Sequence, residues 1–139
     1  MKWYLKVVTT NYANFSGRAR RQEYWMFYLF HIIFIFVLAF LGGMLSTESN
    51  SGFAFIPIGI YFLATIVPYL SVSVRRLHDT GKSGWNYLLT LIPYVGFIIM
   101  IVLMAQNGDE GTNKYGLDPK NPDLGNEIDA IGKPLQEED

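Results

Sequence analysis

The sequence predicts an all-α membrane protein: three hydrophobic spans, an N-terminal interfacial helix and a polar C-terminal tail. Charged residues are nearly absent from three long stretches and crowd the junctions between them, whereas a soluble domain interleaves the two kinds at helical or strand period. Each apolar stretch also matches the hydrocarbon core in length, since roughly 20 residues at ~1.5 Å rise make a rod of roughly 30 Å.

The spans are residues 24–45 (YWMFYLFHIIFIFVLAFLGGML), 53–74 (FAFIPIGIYFLATIVPYLSVSV) and 85–105 (WNYLLTLIPYVGFIIMIVLMA). A buried helix of a soluble protein explains one such run, but three in one short chain leave too little polar surface. A cleaved signal peptide is the other reading of the first run. That run exceeds an ordinary h-region, and no convincing small-x-small cleavage site follows. Tyr24 and Trp25 open the first span, and Trp85 and Tyr87 the third, at the headgroup depth that amphipathic rings prefer. Pro57, Pro68 and Pro93 interrupt the later spans, either as tolerated residues or as kinks whose freed carbonyls meet other protein groups.

Ahead of the spans, Trp3, Tyr4, Val7, Val8 and Tyr12 fall near helical spacing beside Lys2 and Lys6, which predicts a short helix in the membrane interface. Asn11, Asn14, Ser16 and Gly17 then break it. Residues 1–120 read as a single membrane domain. Residues 121–139 are acidic and poor in apolar groups, which predicts disorder, and turns are expected at Asp118-Pro119 and Asn121-Pro122.

Basic loops tend to stay cytoplasmic. Lys2, Lys6, Arg18, Arg20 and Arg21 precede the first span, no Lys or Arg lies between the first two, and Arg75, Arg76 and Lys82 lie between the second and third. The N-terminus is therefore expected in the cytoplasm. Three full crossings put the tail outside; a re-entrant apolar segment, or a second span made of a pair of short half-helices, returns it inside.

The net charge of −1 suggests no nucleic-acid partner. The absence of cysteine removes disulfides, thiolate metal sites and cysteine nucleophiles together. No metal set or cofactor loop is expected. Gly81-Lys82-Ser83 ends like a phosphate-binding loop, but Arg76 stands where its first Gly is required. The stretch from Asp109 fails the calcium-loop pattern, because Gly111 occupies a ligand position.

The polar chemistry lies in two clusters. SGRARRQEYW places Arg18 and Arg21 on one helix face with Arg20 elsewhere, a set able to clamp phosphates or carboxylates or simply to fix orientation. VRRLHDTGKSGW places Asp79 one turn from Arg75 and Arg76, with Gly81 suited to a helix C′ position and Ser83 to an N-cap. His78 beside Asp79 is the one pair that a capped turn does not require. His31 is an ionisable group within a span, bonded to a neighbouring helix or part of an ion path.

Three segments, NYANFSGRARRQEYWMF (11–27), VRRLHDTGKSGW (74–85) and GTNKYGLDP (111–119), together with the span spacing, resemble the domain of unknown function 805 family of small bacterial inner-membrane proteins. The resemblance covers residues 1 to about 120. It implies a multi-pass protein of the bacterial inner (plasma) membrane with no established activity. The motif positions are Gly17, Arg18, Arg20, Arg21, Arg75, Arg76, Leu77, His78, Asp79, Gly81, Ser83, Gly84 and Trp85, with Asn113, Gly116, Asp118 and Pro119 in the tail.

The leading expectation is a non-enzymatic membrane component. In it Arg18, Arg20, Arg21, Arg75, Arg76, His78 and Asp79 form a cytoplasmic-face site for anionic membrane lipids or another membrane protein. The alternative is a homo-oligomeric transporter passing protons or small ions at His31, with Ala39 and Gly43 as a small-residue contact. A membrane enzyme using His78 and Asp79 as base and orienter is the least supported.

Overall fold

The computed structural model describes residues 1–46, 52–121 and 123, and their regular structure is helical throughout. Helix α1 is Lys2–Val8, α2 is Arg21–Leu45, α3 is Ile56–Asp79 and α4 is Val95–Ala105; short 3-10 segments cover Phe53–Phe55 and Gly84–Leu91. The expected disorder of the acidic extension and the turn at Asn121-Pro122 fall outside the described residues.

Two helices, α2 and α3 with the 3-10 turn before it, are long and apolar enough to cross a membrane. They run antiparallel. At one end Glu23 meets Arg75, and at the other Gly42 lies so close to the preceding turn that a Cβ there would stand 2.9 Å from the Ala54 carbonyl. Phe36, Phe40, Ile60 and Leu63 are all more than 60% exposed, while Arg76, Ser71 and Ser73 are fully buried. A soluble fold would invert that arrangement. The core sits towards the polar end, where Val7, Phe27, Val72, Leu77 and Met104 pack together.

Helix α3 carries two prolines with different roles. Pro57 lies in the first turn, where a missing N–H costs nothing. Pro68 lies inside the helix and deprives the Ala64 carbonyl of its usual donor. The Tyr12 hydroxyl donates to that carbonyl at 2.8 Å, so the N-terminal segment supplies the bond that the helix lacks. Helix α1 packs along α2 and α3 through buried Tyr4 and Val7, with the Tyr4 ring stacked on Phe27 at 5.4 Å.

The third apolar stretch departs from the expected single span. Residues 84–91 form a 3-10 helix, the chain reverses at 92–94, and α4 returns. Pro93 and Tyr94 make the reversal. Tyr94 holds φ 61° and ψ −58°, and the Val95 N–H donates to the Pro93 carbonyl at 2.6 Å, which is a γ-turn. Eight 3-10 residues rise roughly 16 Å and eleven α-helical residues roughly 16 Å, each about half the hydrocarbon thickness. Gly96 lets the arms touch, since a Cβ there would overlap the Leu89 carbonyl. Both ends of the hairpin lie at the polar end: Gly84 abuts Val74, and the carbonyls of Met104, Ala105 and Gln106 accept from Arg76 and Arg21.

Candidate functional site

The end of α3 is built to stop. Gly81, with φ 69°, occupies C′; its N–H donates to the His78 carbonyl, and the Lys82 N–H to that of Leu77, both at 3.0 Å. This is the paired bonding of a Schellman cap. Ser83 then accepts from the Trp85 N–H at 3.4 Å and starts the hairpin. The sequence-predicted capped turn is thus present, and it fixes the direction of each polar side chain before it.

Asp79 is the centre. One carboxylate oxygen takes the Arg18 Nε at 3.0 Å and the other is paired with Arg76. Its backbone carbonyl accepts the Asp109 N–H at 2.7 Å. Arg18 goes on to donate to the carbonyls of Asp109 and, at 2.6 Å, Gly111. Three remote segments therefore meet on one buried carboxylate: 17–21, the end of α3, and the tail after α4. Burial pulls the Arg76 guanidinium below its ordinary range, and the Asp79 charge opposes that pull.

Arg75 takes a different partner from the one its spacing suggests. It pairs with Glu23 at 2.8 Å, and Lys6 approaches the other oxygen of Glu23 at 3.4 Å. Two of the Arg75 nitrogens, Nε and Nη2, are buried without a partner among the described residues. Nor do the side chains of His78 and Asp79 bond to each other. The imidazole Nδ1 faces the Gly17 carbonyl at 3.2 Å, and the ring lies flat on Tyr115 at 3.8 Å between centroids. Burial pushes the His78 pKa below its usual value, its bond to Gly17 opposes this, and Lys114 adds to it.

The tail positions lock the same junction. Asn113 donates to the His78 carbonyl at 3.0 Å and forms a small bridge with Gly116. Asp118 accepts from the Lys120 N–H at 2.8 Å, the expected turn, and the Pro119 carbonyl accepts from Arg20 Nε. No base sits in the last turn of α4, yet Arg76 and Arg21 bond its terminal carbonyls, so cations from other elements complement its dipole.

Sequence reasoning singled out the arginines and Asp79 but passed over Glu23, Asp109 and Tyr115. Glu23 did carry a signal: it is a carboxylate in the first turn of a span, directly after three arginines.

A polar cavity of about 240 Å³ at this end is lined by Arg20, Arg21, Gln22, Asp79, Asn107, Gly108 and Lys120. Arg18, Arg75 and Arg76 are buried away from it, and the cations that line it are Arg20, Arg21 and Lys120. His31 lies apart, within the apolar part of α2, with Nδ1 3.0 Å from the Tyr61 hydroxyl. Ala39 and Gly43 are not joined to this site; Gly43 is exposed on the outer face of α2.

Comparison with known proteins gives relatives that the chain covers over most of their length. The chain is 49% identical over 120 residues to the inner membrane protein YhaH of Escherichia coli K12, covering 86% of this chain and 98% of that one. It is 42% identical over 120 residues to the inner membrane protein YhaI of the same strain, covering 86% and 97%. It is 26% identical to the uncharacterised protein YiiR, covering 76% and 85%. No solved structure matches. The family described as "protein of unknown function (DUF805)" matches residues 12–117, a stretch that includes Arg18, Glu23, Arg75, Arg76, Asp79 and Asn113, and the chain belongs to that family.

Proposed function

We propose that the protein is a non-enzymatic component of the inner membrane that takes an anionic lipid headgroup at its polar end, between Arg20, Arg21 and Lys120. The observation that carries this is the cavity, where three cations converge beside a carboxylate that Arg18 and Arg76 already neutralise. Among the described residues Arg20 bonds through Nε alone, to Pro119, and Arg21 through Nη1 alone, to Ala105 and Asn107, so each has further nitrogens to offer a phosphate. A guanidinium held by one edge presents the other in a fixed plane, the geometry that recognises phosphate oxygens.

The membrane arrangement supports the same reading. Helices α2 and α3 cross, and the hairpin 84–105 enters and leaves on one side. The N-terminal segment, the end of α3 and the tail then share a face. Every Lys and Arg except Lys133 lies in those segments, and the far link between α2 and α3 has none. The positive-inside rule places that face in the cytoplasm, with α1 along its membrane surface. There the cavity opens at headgroup level onto the anionic leaflet.

Purified protein in nanodiscs of mixed anionic and zwitterionic lipid should enrich the anionic species among the lipids that stay bound. Arg21→Gln with Lys120→Gln should weaken the preference by roughly 1 kcal/mol per neutralised group, and added salt should weaken it further. Equal retention of both lipids by the native protein and the double variant would overturn the reading.

A further inference from the structure

A second cavity, of about 320 Å³, lies between α2 and α3 at the depth of the hydrocarbon, lined by Tyr28, His31, Ile32, Ile35, Phe62, Thr65, Ile66 and Tyr69. Its size falls within the roughly 300–1,000 Å³ of small-molecule sites. Phe62 and Ile66 on its rim are exposed on the outer surface of α3, so it opens sideways to lipid rather than to water. His31, at its wall, is only 8% exposed. None of its lining residues is Asp, Glu, Lys or Arg, so a charged ligand of either sign finds no fixed countercharge there.

We propose that this cavity binds the head ring of a lipid-soluble quinone, in both its quinone and quinol forms. The imidazole turns Nδ1 to Tyr61, which does not line the cavity, leaving Nε2 as the ring nitrogen available to it. The Tyr61 hydroxyl continues to the Tyr4 hydroxyl at 3.2 Å, making a chain of three neutral groups. When Tyr61 donates to Nδ1, Nε2 carries the proton and serves a ligand carbonyl. When Nδ1 donates to Tyr61 and Tyr61 to Tyr4, Nε2 is bare and accepts from a ligand hydroxyl. The chain reverses without creating a charge in lipid, where charge is costly. The Thr65 hydroxyl donates to the Tyr61 carbonyl at 2.8 Å and keeps its oxygen as a second acceptor. Tyr28, Phe62 and Tyr69 supply flat aromatic walls for a planar ring. A lipid chain would fill the volume but would leave Nε2 unmet.

The test uses the full-length protein in nanodiscs, titrated with decylubiquinone, its quinol, and decylbenzene as a ring-and-chain control without oxygen. Binding is read as quenching of intrinsic fluorescence and as a shift in melting temperature. Both quinone forms should bind saturably and decylbenzene should not. His31→Phe keeps an aromatic ring on the wall and should weaken both forms by roughly tenfold, the worth of one buried hydrogen bond whose partner is left unmet. Tyr61→Phe keeps the shape but removes the reversal; it should fix the proton on Nε2 and weaken the quinol more than the quinone. That ratio is decisive if His31→Phe fails to fold. Saturable decylbenzene binding of equal strength, or a quinone-to-quinol ratio unmoved in Tyr61→Phe, would overturn the assignment.

Discussion

At the residue scale the polar end depends on Asp79. Two guanidiniums are buried on one carboxylate, and their desolvation is tolerated because each remaining nitrogen faces a backbone carbonyl. Removing the carboxylate leaves both cations uncompensated. Asp79→Asn should therefore cost about 3–5 kcal/mol, the usual cost of breaking a buried pair, measured by chemical denaturation in detergent. Glycines around it divide by the same logic. A Cβ on Gly108 would overlap the pinned Asp79 carboxylate, whereas one on Gly111 meets open space, although Gly111 holds φ 71°. Gly111→Ala should cost only the backbone term, about 1–2 kcal/mol, and Gly108→Ala clearly more. Comparable losses in the two variants would show that the tail does not press on Asp79. The arginines were legible in the sequence because charge beside an apolar span has few bland explanations. Which carboxylate each arginine takes was not legible: spacing along α3 offers Asp79 to both Arg75 and Arg76, and only the antiparallel docking of α2 gives Glu23 to Arg75.

At the element scale, length and charge patterning identified α2 and α3, and the cap residues Gly81 and Ser83 marked the turn between α3 and the hairpin. The hairpin itself was hidden, because two apolar half-helices and one full helix have the same composition. The distinguishing feature is a γ-turn at Tyr94, a conformation to which no residue type is confined. Tyr94→Gly should relieve its strain and raise stability by about 1 kcal/mol, read as a higher melting temperature. A lower one would mean that the Tyr94 side chain holds the hairpin in some other way.

The tail is the second element with a testable dependence, because it docks on His78 through the Tyr115 stack and the Asn113 bond. Burial holds the folded-state pKa of His78 below its ordinary value, so on acidification the undocked chain takes the proton first. Docking should be complete above about pH 6.5 and weaken as the pH falls further. Hydrogen exchange at the Asn113 and Gly116 amides, corrected for intrinsic rates, should accelerate between pH 7 and 5. His78→Phe keeps the stack and should abolish that acceleration. An unchanged profile in the variant would assign the pH response to another group.

At the scale of the whole molecule, one choice of topology determines which residues can act together. Three full crossings would separate the tail from Arg18 and Asp79 by the thickness of the bilayer. Yet the Asp109 N–H bonds the Asp79 carbonyl, and Arg18 bonds Asp109 and Gly111. The hairpin removes the conflict, because the chain reverses at 92–94 and comes back to the end of α3. It also gathers the basic side chains of the described residues at one end, which three full crossings would split by placing Lys114 and Lys120 across the bilayer from Arg18. The chain contains no cysteine, so a single introduced thiol reports its own side without a background. In spheroplasts, a membrane-impermeant thiol reagent should label Ser49→Cys directly and Lys114→Cys only after permeabilisation, with Lys2→Cys following Lys114→Cys. Labelling of Lys114→Cys from outside would restore the third crossing and separate the three motifs. It would also place Lys120 on the opposite side of the membrane from Arg20 and Arg21, leaving the proposed headgroup site incomplete.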